Sequence, residues 1–187
     1  MEQQQKKILV LVGASGSGKT TLGDYLKTKG VAELVSNTTR KMRPGEQADV
    51  TYYYVTKEEI LALEMVERSN YDGQAIYGLS KREVEAKLKT NTLVFFIADI
   101  KGAFAVKQHF PKETLIVYLE TTPADMRQHM TLRGDSTEAI EHRIAFALSS
   151  KEFENGKFSD IIISNGTLEE CEGQLEKIIL ALKLEAF

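Results

Sequence analysis

Five short, mainly apolar runs rich in β-branched residues punctuate the chain: Ile8–Val12, Val31–Val35, Leu93–Ala98, Leu115–Leu119 and Ile161–Ile163. Runs this short are consistent with buried strands, and their unbroken rather than alternating apolar character predicts cover on both faces. Helical stretches with their own start signals lie between them. Ser80 with Glu83, and Thr167 with Glu170, have capping-box spacing, in which hydroxyl and carboxylate satisfy backbone N–H groups at a helix start. Strand alternating with helix predicts an α/β core, a parallel sheet flanked by helices.

Two segments depart from that rhythm. In residues 36–80, Pro44, Gly45 and Gly73 flank a strand at Thr51–Val55 and a weaker one at Met65–Ser69, which predicts a small antiparallel insertion. Tyr53 should point away from Tyr52 and Tyr54, and a helix capped by Thr56 and Glu59 should run through Ile60–Leu63. From Pro123 to about Glu154, Arg127, Arg133 and Arg143 sit in a predicted helical hairpin around Gly134-Asp135-Ser136, which suggests a helical lid. The expected organisation is one domain: a core of residues 1–35, 81–125 and 144–187, an insertion at 36–80 and a lid at 126–143.

Composition narrows the possibilities. With 187 residues, 42% hydrophobic and 27% charged, the chain can bury a sizeable core, and disorder, collagen and coiled coil are excluded. Twenty-four Lys and Arg against twenty-seven Asp and Glu give a net charge of −3. No general attraction to nucleic acid or membrane is expected, so any anion site must be local. The single Cys171 cannot form an intrachain disulfide, and no zinc-ligand spacing is present. The first apolar run is far shorter than a signal core or a membrane span, so a cytoplasmic protein is expected, either monomer or homodimer.

Gly13-Ala14-Ser15-Gly16-Ser17-Gly18-Lys19-Thr20 fits the pattern G-x-x-x-x-G-K-S/T directly after the first predicted strand and before a helical stretch from Thr21 to Lys29. In that context the glycines let backbone N–H groups turn inward around phosphate oxygens, and the helix N-terminus adds partial positive charge. Lys19 would reach the terminal phosphates and Thr20 would ligate Mg2+, with Thr21 beside them. The predicted ligand is a nucleoside triphosphate. A guanine-selecting Asn-Lys-x-Asp stretch is absent, and oligomeric ATPases usually need more chain, which leaves a small-molecule kinase. Its acceptor must be found elsewhere, and Arg40 and Arg43, three apart in a turn segment, have the fork geometry that suits phosphate oxygens.

With these residues in view the sequence resembles guanylate kinases, the P-loop kinases that move the γ-phosphoryl of ATP to GMP. The resemblance covers nearly the whole chain and rests on the phosphate loop, the block from Ser36 to Glu46 (Ser-Asn-Thr-Thr-Arg-Lys-Met-Arg-Pro-Gly-Glu), Tyr52, Glu67 followed by Gly73 and Tyr77-Gly78, and Asp99. It implies a parallel-sheet core of P-loop type with a nucleotide-monophosphate insertion and a lid. It also implies that Arg40, Arg43, Tyr52 and Tyr77 hold the GMP phosphate, that Glu46 belongs to the same acceptor-binding block, and that Ser36, Glu67 and Asp99 face the guanine. A carboxylate accepts from both guanine N1–H and the 2-amino group, a pairing adenine does not offer. Arg133 and Arg143 match arginines brought onto the transferring phosphoryl group, and Asn165 matches a position near the donor adenine.

The sequence departs from the family pattern at three places. Leu79 stands where a small or hydroxylated residue usually lies near guanine O6, with Ser80 the adjacent hydroxyl that could replace it. Ile97 stands where a carboxylate is usual, leaving Asp99 to serve the magnesium, the acceptor or both, and Thr131 replaces a lid arginine. One extra residue lies between Gly73 and Tyr77. Two other readings follow from these departures and from the fold: a kinase for another small phosphorylated acceptor, and a non-catalytic binding module, which would not need Gly18-Lys19-Thr20 or two lid arginines.

Overall fold

The computed structural model describes residues 5–71 and 75–184; Gly73 lies outside the described residues. Strands β1 (Lys7–Val12), β2 (Ala32–Glu33), β7 (Leu93–Ile97), β8 (Thr114–Leu119) and β9 (Ile161–Ile163) form one parallel sheet in the order β2-β7-β1-β8-β9. The numbering leaves room for the four strands of the insertion, β3 (Asn37–Thr38), β4 (Tyr53–Tyr54), β5 (Met65–Tyr71) and β6 (Ala75–Ser80).

Period-two alternation divides each apolar run between two cores. Ile8, Val10 and Val12 of β1 join Val94, Phe96, Ile116 and Tyr118 on the face covered by α3 (Lys81–Thr90) and α4 (Ile100–His109). Leu9, Leu11, Phe95, Val117 and Leu119 face the other way, onto Leu22 and Leu26 of α1 (Lys19–Thr28) and Leu175 and Ile179 of α7 (Leu168–Leu184). Each fully buried side chain of this kind contributes about 1.5–3 kcal/mol, so both layers are strongly held. α1 approaches closely because it presents Gly23, where a Cβ would come within 3.1 Å of Phe95 and Ile97.

The insertion is a four-stranded sheet, order β4-β3-β6-β5. It is antiparallel except where β3 pairs with β4 in parallel, Asn37 opposite Tyr53. That pairing needs a long return connection, which residues 39–52 supply and on which Arg40, Arg43 and Glu46 ride. The strand expected over Thr51–Val55 is thereby reduced to two residues. β6 carries no clear strand signal because Gly78 interrupts it, yet only glycine fits there: a Cβ would lie 2.5 Å from the Glu67 carbonyl oxygen and 2.4 Å from Met65 Cε.

α2 (Lys57–Ala62) starts at the expected Thr56–Glu59 capping box, and Thr167 and Glu170 exchange reciprocal bonds at the start of α7. The third expected box is half formed. Ser80 Oγ accepts from Glu83 N at 3.3 Å, but the Glu83 carboxylate is used elsewhere, accepting from Val35 N at 3.1 Å and from the Tyr53 hydroxyl at 3.0 Å. Tyr53 therefore points away from Tyr52 and Tyr54, as expected. The predicted hairpin consists of α5 (Pro123–Leu132) and α6 (Thr137–Ser149), with Arg127 on Glu141 at 2.8 and 3.0 Å clamping the two. Met126 and Met130 of α5 pack with Ile140, Ile144 and the buried Ala14 of the phosphate loop, which roots the hairpin beside that loop. Among the described residues no helix is long and apolar enough to cross a membrane.

Candidate active site

β1 and β7 are neighbours, with Leu11 opposite Ile97, so the segments leaving their carboxyl ends emerge side by side. One is the phosphate loop and the other begins at Asp99. Gly16 and Gly18 adopt φ of 78° and 89°, a region that penalises a Cβ, and this bends the loop ahead of α1. The first turn of α1 has neither a side-chain cap nor an acidic residue, leaving its N–H groups for an anion. Ser17 Oγ is buried without a partner inside this loop. Lys19 bends back so that Nζ donates to the carbonyl oxygens of Gly13 at 2.7 Å and Ala14 at 2.8 Å, and burial lowers its pKa to about 8. These features fit a polyphosphate. Thr20 is exposed in the first turn of α1, directly after Lys19.

The loop borders a pocket of about 590 Å3 that also takes in Thr20, Thr21, Glu120, His129, Leu132, Arg133, Asn165, Gly166, Leu168 and Cys171. Apolar walls with a few polar groups, in this size range, suit a nucleotide base. Asn165 donates to Asp125 Oδ2 at 2.8 Å. Arg133 forms a fork on Asp135, with Nε at 3.0 Å, and Arg143 Nη1 lies 3.4 Å from both Asp135 Oδ2 and Ser15 Oγ. Arg133 and Arg143 of the helical hairpin thus converge on one carboxylate beside the phosphate loop.

A second cleft, of about 350 Å3, is lined by Ser36, Tyr52, Glu67, Ser69, Tyr77, Phe96, Ile97, Ala98, Asp99 and Gly102. At one end Arg40 is fixed on every side: Nε donates to Tyr77 Oη at 2.9 Å, Nη1 to Glu46 Oε2 at 2.9 Å and Nη2 to Glu46 Oε1 at 2.7 Å. The rings of Tyr52 and Tyr54 lie 5.4 and 6.0 Å from its guanidinium, within cation–π range. At the other end, Glu67 and Asp99 meet across Gly102. A Cβ there would lie 3.3 Å from Glu67 Cγ and 3.5 Å from Asp99 Oδ1, which itself caps α4 by accepting from Gly102 N at 2.8 Å. Burial first and the Asp99 charge second raise the Glu67 carboxyl to about 7.

A β-bulge directs Glu67 into this cleft. Met65 is opposite Ser80, but Glu67, not Val66, is opposite Leu79, so β5 spends an extra residue. Without it Glu67 would lie opposite Gly78, on the sheet face away from Tyr77. With it Val66 is buried in the core while Glu67 and Ser69 share the face of Leu79 and Tyr77.

Ser36, Tyr52, Glu67, Tyr77 and Asp99 therefore line one cleft, and Gly16 to Thr21 with Arg133 and Asn165 line the other. Arg40, bonded to Tyr77, Gly13 and Ala14, bonded to Lys19, and Arg143, beside Ser15, adjoin these linings without belonging to them. Three expected residues lie elsewhere. Ser80 is buried and its hydroxyl caps α3, so it does not face the cleft in place of Leu79. Glu46 is outside the lining: its carboxylate accepts from Arg40, from Arg43 N at 2.7 Å and from Tyr54 Oη at 2.8 Å, and acts through Arg40. The exposed Arg43 contributes its backbone N–H to that network, and its side chain is likewise outside the lining.

Sequence reasoning missed Ser69, Gly102, His129, Asp135 and Glu152. Ser69 could have been found as the residue two beyond Glu67 on the same strand, and Gly102 as the small residue one turn into the helix that Asp99 begins. His129 Nδ1 lies 2.8 Å from the Gly16 carbonyl, and Glu152 lies within electrostatic reach of Lys19 and Asp99. Neither contact has a local sequence signal.

Comparison with known proteins agrees with this layout. The guanylate kinase family profile matches residues 5–182. The chain is 37% identical to the guanylate kinase of Wolinella succinogenes, over 97% of this chain and 86% of that protein. It is 34% identical to that of Helicobacter pylori, over 96% and 90%. The crystal structure of guanylate kinase from Anaplasma phagocytophilum superposes with a TM-score of 0.69 at 22% identity, covering 96% of this chain and 87% of that one, a likeness of fold. With a profile match along almost its whole length and relatives above 30% identity, the chain belongs to the guanylate kinase family.

Proposed function

We propose that this enzyme transfers the γ-phosphoryl group of ATP to GMP or dGMP, giving ADP and GDP or dGDP. The observation that carries the proposal is the second cleft, with a fixed guanidinium and two tyrosines at one end and two carboxylates at the other. A purine monophosphate has the matching polarity, anionic at one end and rich in N–H donors at the other. Arg40, Tyr52 and Tyr77 hold the acceptor phosphate, while Glu67 and Asp99 accept from the guanine N–H groups and Ser36 closes that wall. Adenine lacks the N1–H and 2-amino donors and would leave a buried carboxylate unpaired.

In the donor site the phosphate-loop N–H groups and the α1 N-terminus hold the β- and γ-phosphates, and Lys19 exchanges two carbonyl partners for phosphate oxygens. Thr20 would hold Mg2+, which when bound supplies further neutralisation of phosphate charge. Arg133 and Arg143 neutralise charge on the group in transit, the lid at 126–143 and the insertion at 36–80 closing toward the core. The acceptor oxygen is already anionic at neutral pH, so no general base is required. Catalysis is positioning and electrostatics.

Diphosphate formation from ATP and Mg2+ with GMP, dGMP, IMP, AMP, CMP and UMP tests this reading, with Lys19→Ala as the blank. Selective turnover of GMP and dGMP is expected. Silence with GMP, despite ATP binding that Lys19→Ala abolishes, would overturn it in favour of another phosphorylated acceptor.

A further inference from the structure

Guanine presents N1–H and the 2-amino group as donors and, immediately beside N1, the O6 carbonyl as an acceptor. Glu67 can satisfy only the donors. A cleft that selects this base therefore needs a hydrogen-bond donor next to Glu67, and β5 and β6 limit where it can come from. On the cleft face four side chains form a square: Glu67 opposite Leu79, and Ser69 opposite Tyr77. Leu79 is fully buried and apolar. Tyr77 accepts from Arg40 Nε at the phosphate end. Ser80 is committed to α3. Ser36 faces the same cleft, but from β3's side of the sheet, next to the β4 connection that its carbonyl holds through Tyr53 N. Ser69 lies two residues beyond Glu67 on the same strand and face, about 6.6 Å along at the usual rise.

Ser69 lines the same cleft as Glu67, two residues along the same strand face, and its side chain favours the ionised Glu67 carboxylate. A bound guanine supplies Glu67 with two donors of its own, and the serine proton is free to rotate, since a hydroxyl hydrogen follows its strongest acceptor. We infer that Ser69 reads the purine 6-position, donating its hydroxyl proton to O6 when the base takes over Glu67, so that the donor Leu79 cannot offer comes from the neighbouring strand. This rests on the GMP reading above and names a specificity residue within it. No bond is made or broken; a hydrogen bond changes acceptor.

The test compares GMP with 6-thio-GMP, whose sulfur is a poor acceptor at the same position, at saturating ATP and Mg2+. The wild-type enzyme should favour GMP. Ser69→Ala should raise KM for GMP about tenfold, the effect of one hydrogen bond to a base held beside a charged partner. It should leave KM for 6-thio-GMP and for ATP unchanged, so the preference disappears. Ser69→Thr keeps the hydroxyl and should retain it, which separates loss of the donor from loss of folding. An unchanged KM for GMP in Ser69→Ala, or an equal rise for both acceptors, would overturn the inference and leave Ser69 as a partner of Glu67 alone. Failure of the wild-type enzyme to phosphorylate GMP would overturn the GMP reading itself and this inference with it.

Discussion

Glu46 holds Arg40 as a bidentate ion pair, Oε1 to Nη2 at 2.7 Å and Oε2 to Nη1 at 2.9 Å, six residues apart along one turn of the insertion. The Arg40 guanidinium, the Arg43 N–H and the Tyr54 hydroxyl hold the Glu46 carboxyl down at about 2. Its folded pKa is depressed, so this contribution is complete above the ordinary glutamate range and is lost as pH falls from there toward 2; near neutrality the pair does not titrate. Glu46→Ala removes what orients Arg40 and should raise KM for GMP about tenfold with a smaller change in kcat, because the acceptor phosphate is positioned less well. Glu46→Gln, which retains one acceptor, should fall between. Steady-state kinetics at fixed ATP checks the order, and an unchanged KM in Glu46→Ala would show that Tyr52 and Tyr77 orient Arg40 without it.

The second prediction concerns pH. Glu67 must be ionised to accept from two base donors, and burial and the Asp99 charge push its carboxyl up to about 7. Below that pH the protonated form offers a donor where the base also offers one. The base N–H groups favour the carboxylate, so binding lowers this pKa. The result should be kcat/KM for GMP that falls below about pH 7 while kcat stays flatter over the same range. Glu67→Gln should abolish that pH dependence and lower kcat/KM at every pH. A raised folded pKa also means that the ionised side chain opposes folding: its contribution is most favourable below the unfolded glutamate pKa and is lost as pH rises through 7. Thermal unfolding at pH 8 should accordingly find Glu67→Gln more stable, by about 1 kcal/mol or 2–4 °C in Tm.

Much of this arrangement is legible in the sequence, for identifiable reasons. The central strands declare themselves because burial on both faces leaves no polar position inside them, and the phosphate loop because its backbone geometry demands glycines at fixed spacing. Three features were hidden. β6 lacks a strand signal because close approach to Met65 and Glu67 requires Gly78 in its middle. Ser80 and Glu83 have the spacing of a reciprocal cap, yet Glu83 lies nearer to stronger donors, Val35 N and Tyr53 Oη, contributed from 48 and 30 residues away. Ser69 shares Glu67's face by simple strand alternation, but the bulge between Met65 and Glu67 that turns that face toward the cleft is a tertiary property of the β5–β6 pair.

Glu83 yields a prediction about stability. It is 7% exposed, and its two oxygens join the end of the Val31–Val35 segment, β4 of the insertion and the start of α3. Glu83→Ala leaves the Val35 N–H and the Tyr53 hydroxyl without their acceptor and should cost about 1–3 kcal/mol, whereas Tyr53→Phe removes only one bond and should cost about 1 kcal/mol. Because the two share a contact they should not add: the double variant should be no less stable than the sum of the singles and is expected to fall short of it. Urea unfolding of the four proteins measures this, and strict additivity would show that the Tyr53–Glu83 bond contributes nothing.

The last prediction follows from the lid. Asp135 takes the fork of Arg133 and lies 3.4 Å from Arg143, so one carboxylate holds both of the cations that the proposed function assigns to phosphate. The two arginines are about half exposed while Asp135 is 19% exposed, and ion pairs with an exposed partner are individually weak. A triphosphate carries more charge than one carboxylate and should displace it. Asp135 then acts as a competing anion, and its neutralisation should help the donor: Asp135→Asn is expected to lower KM for ATP a few-fold at low ionic strength. The gain should shrink in high salt, where the screening length falls to about 3 Å at 1 M. Arg143→Ala should lower kcat and kcat/KM together, by roughly a hundredfold, as expected for charge neutralisation made only in the transition state. If Asp135→Asn instead raised KM for ATP and reduced kcat in parallel with Arg143→Ala, Asp135 would be acting to orient the arginines rather than to compete for them.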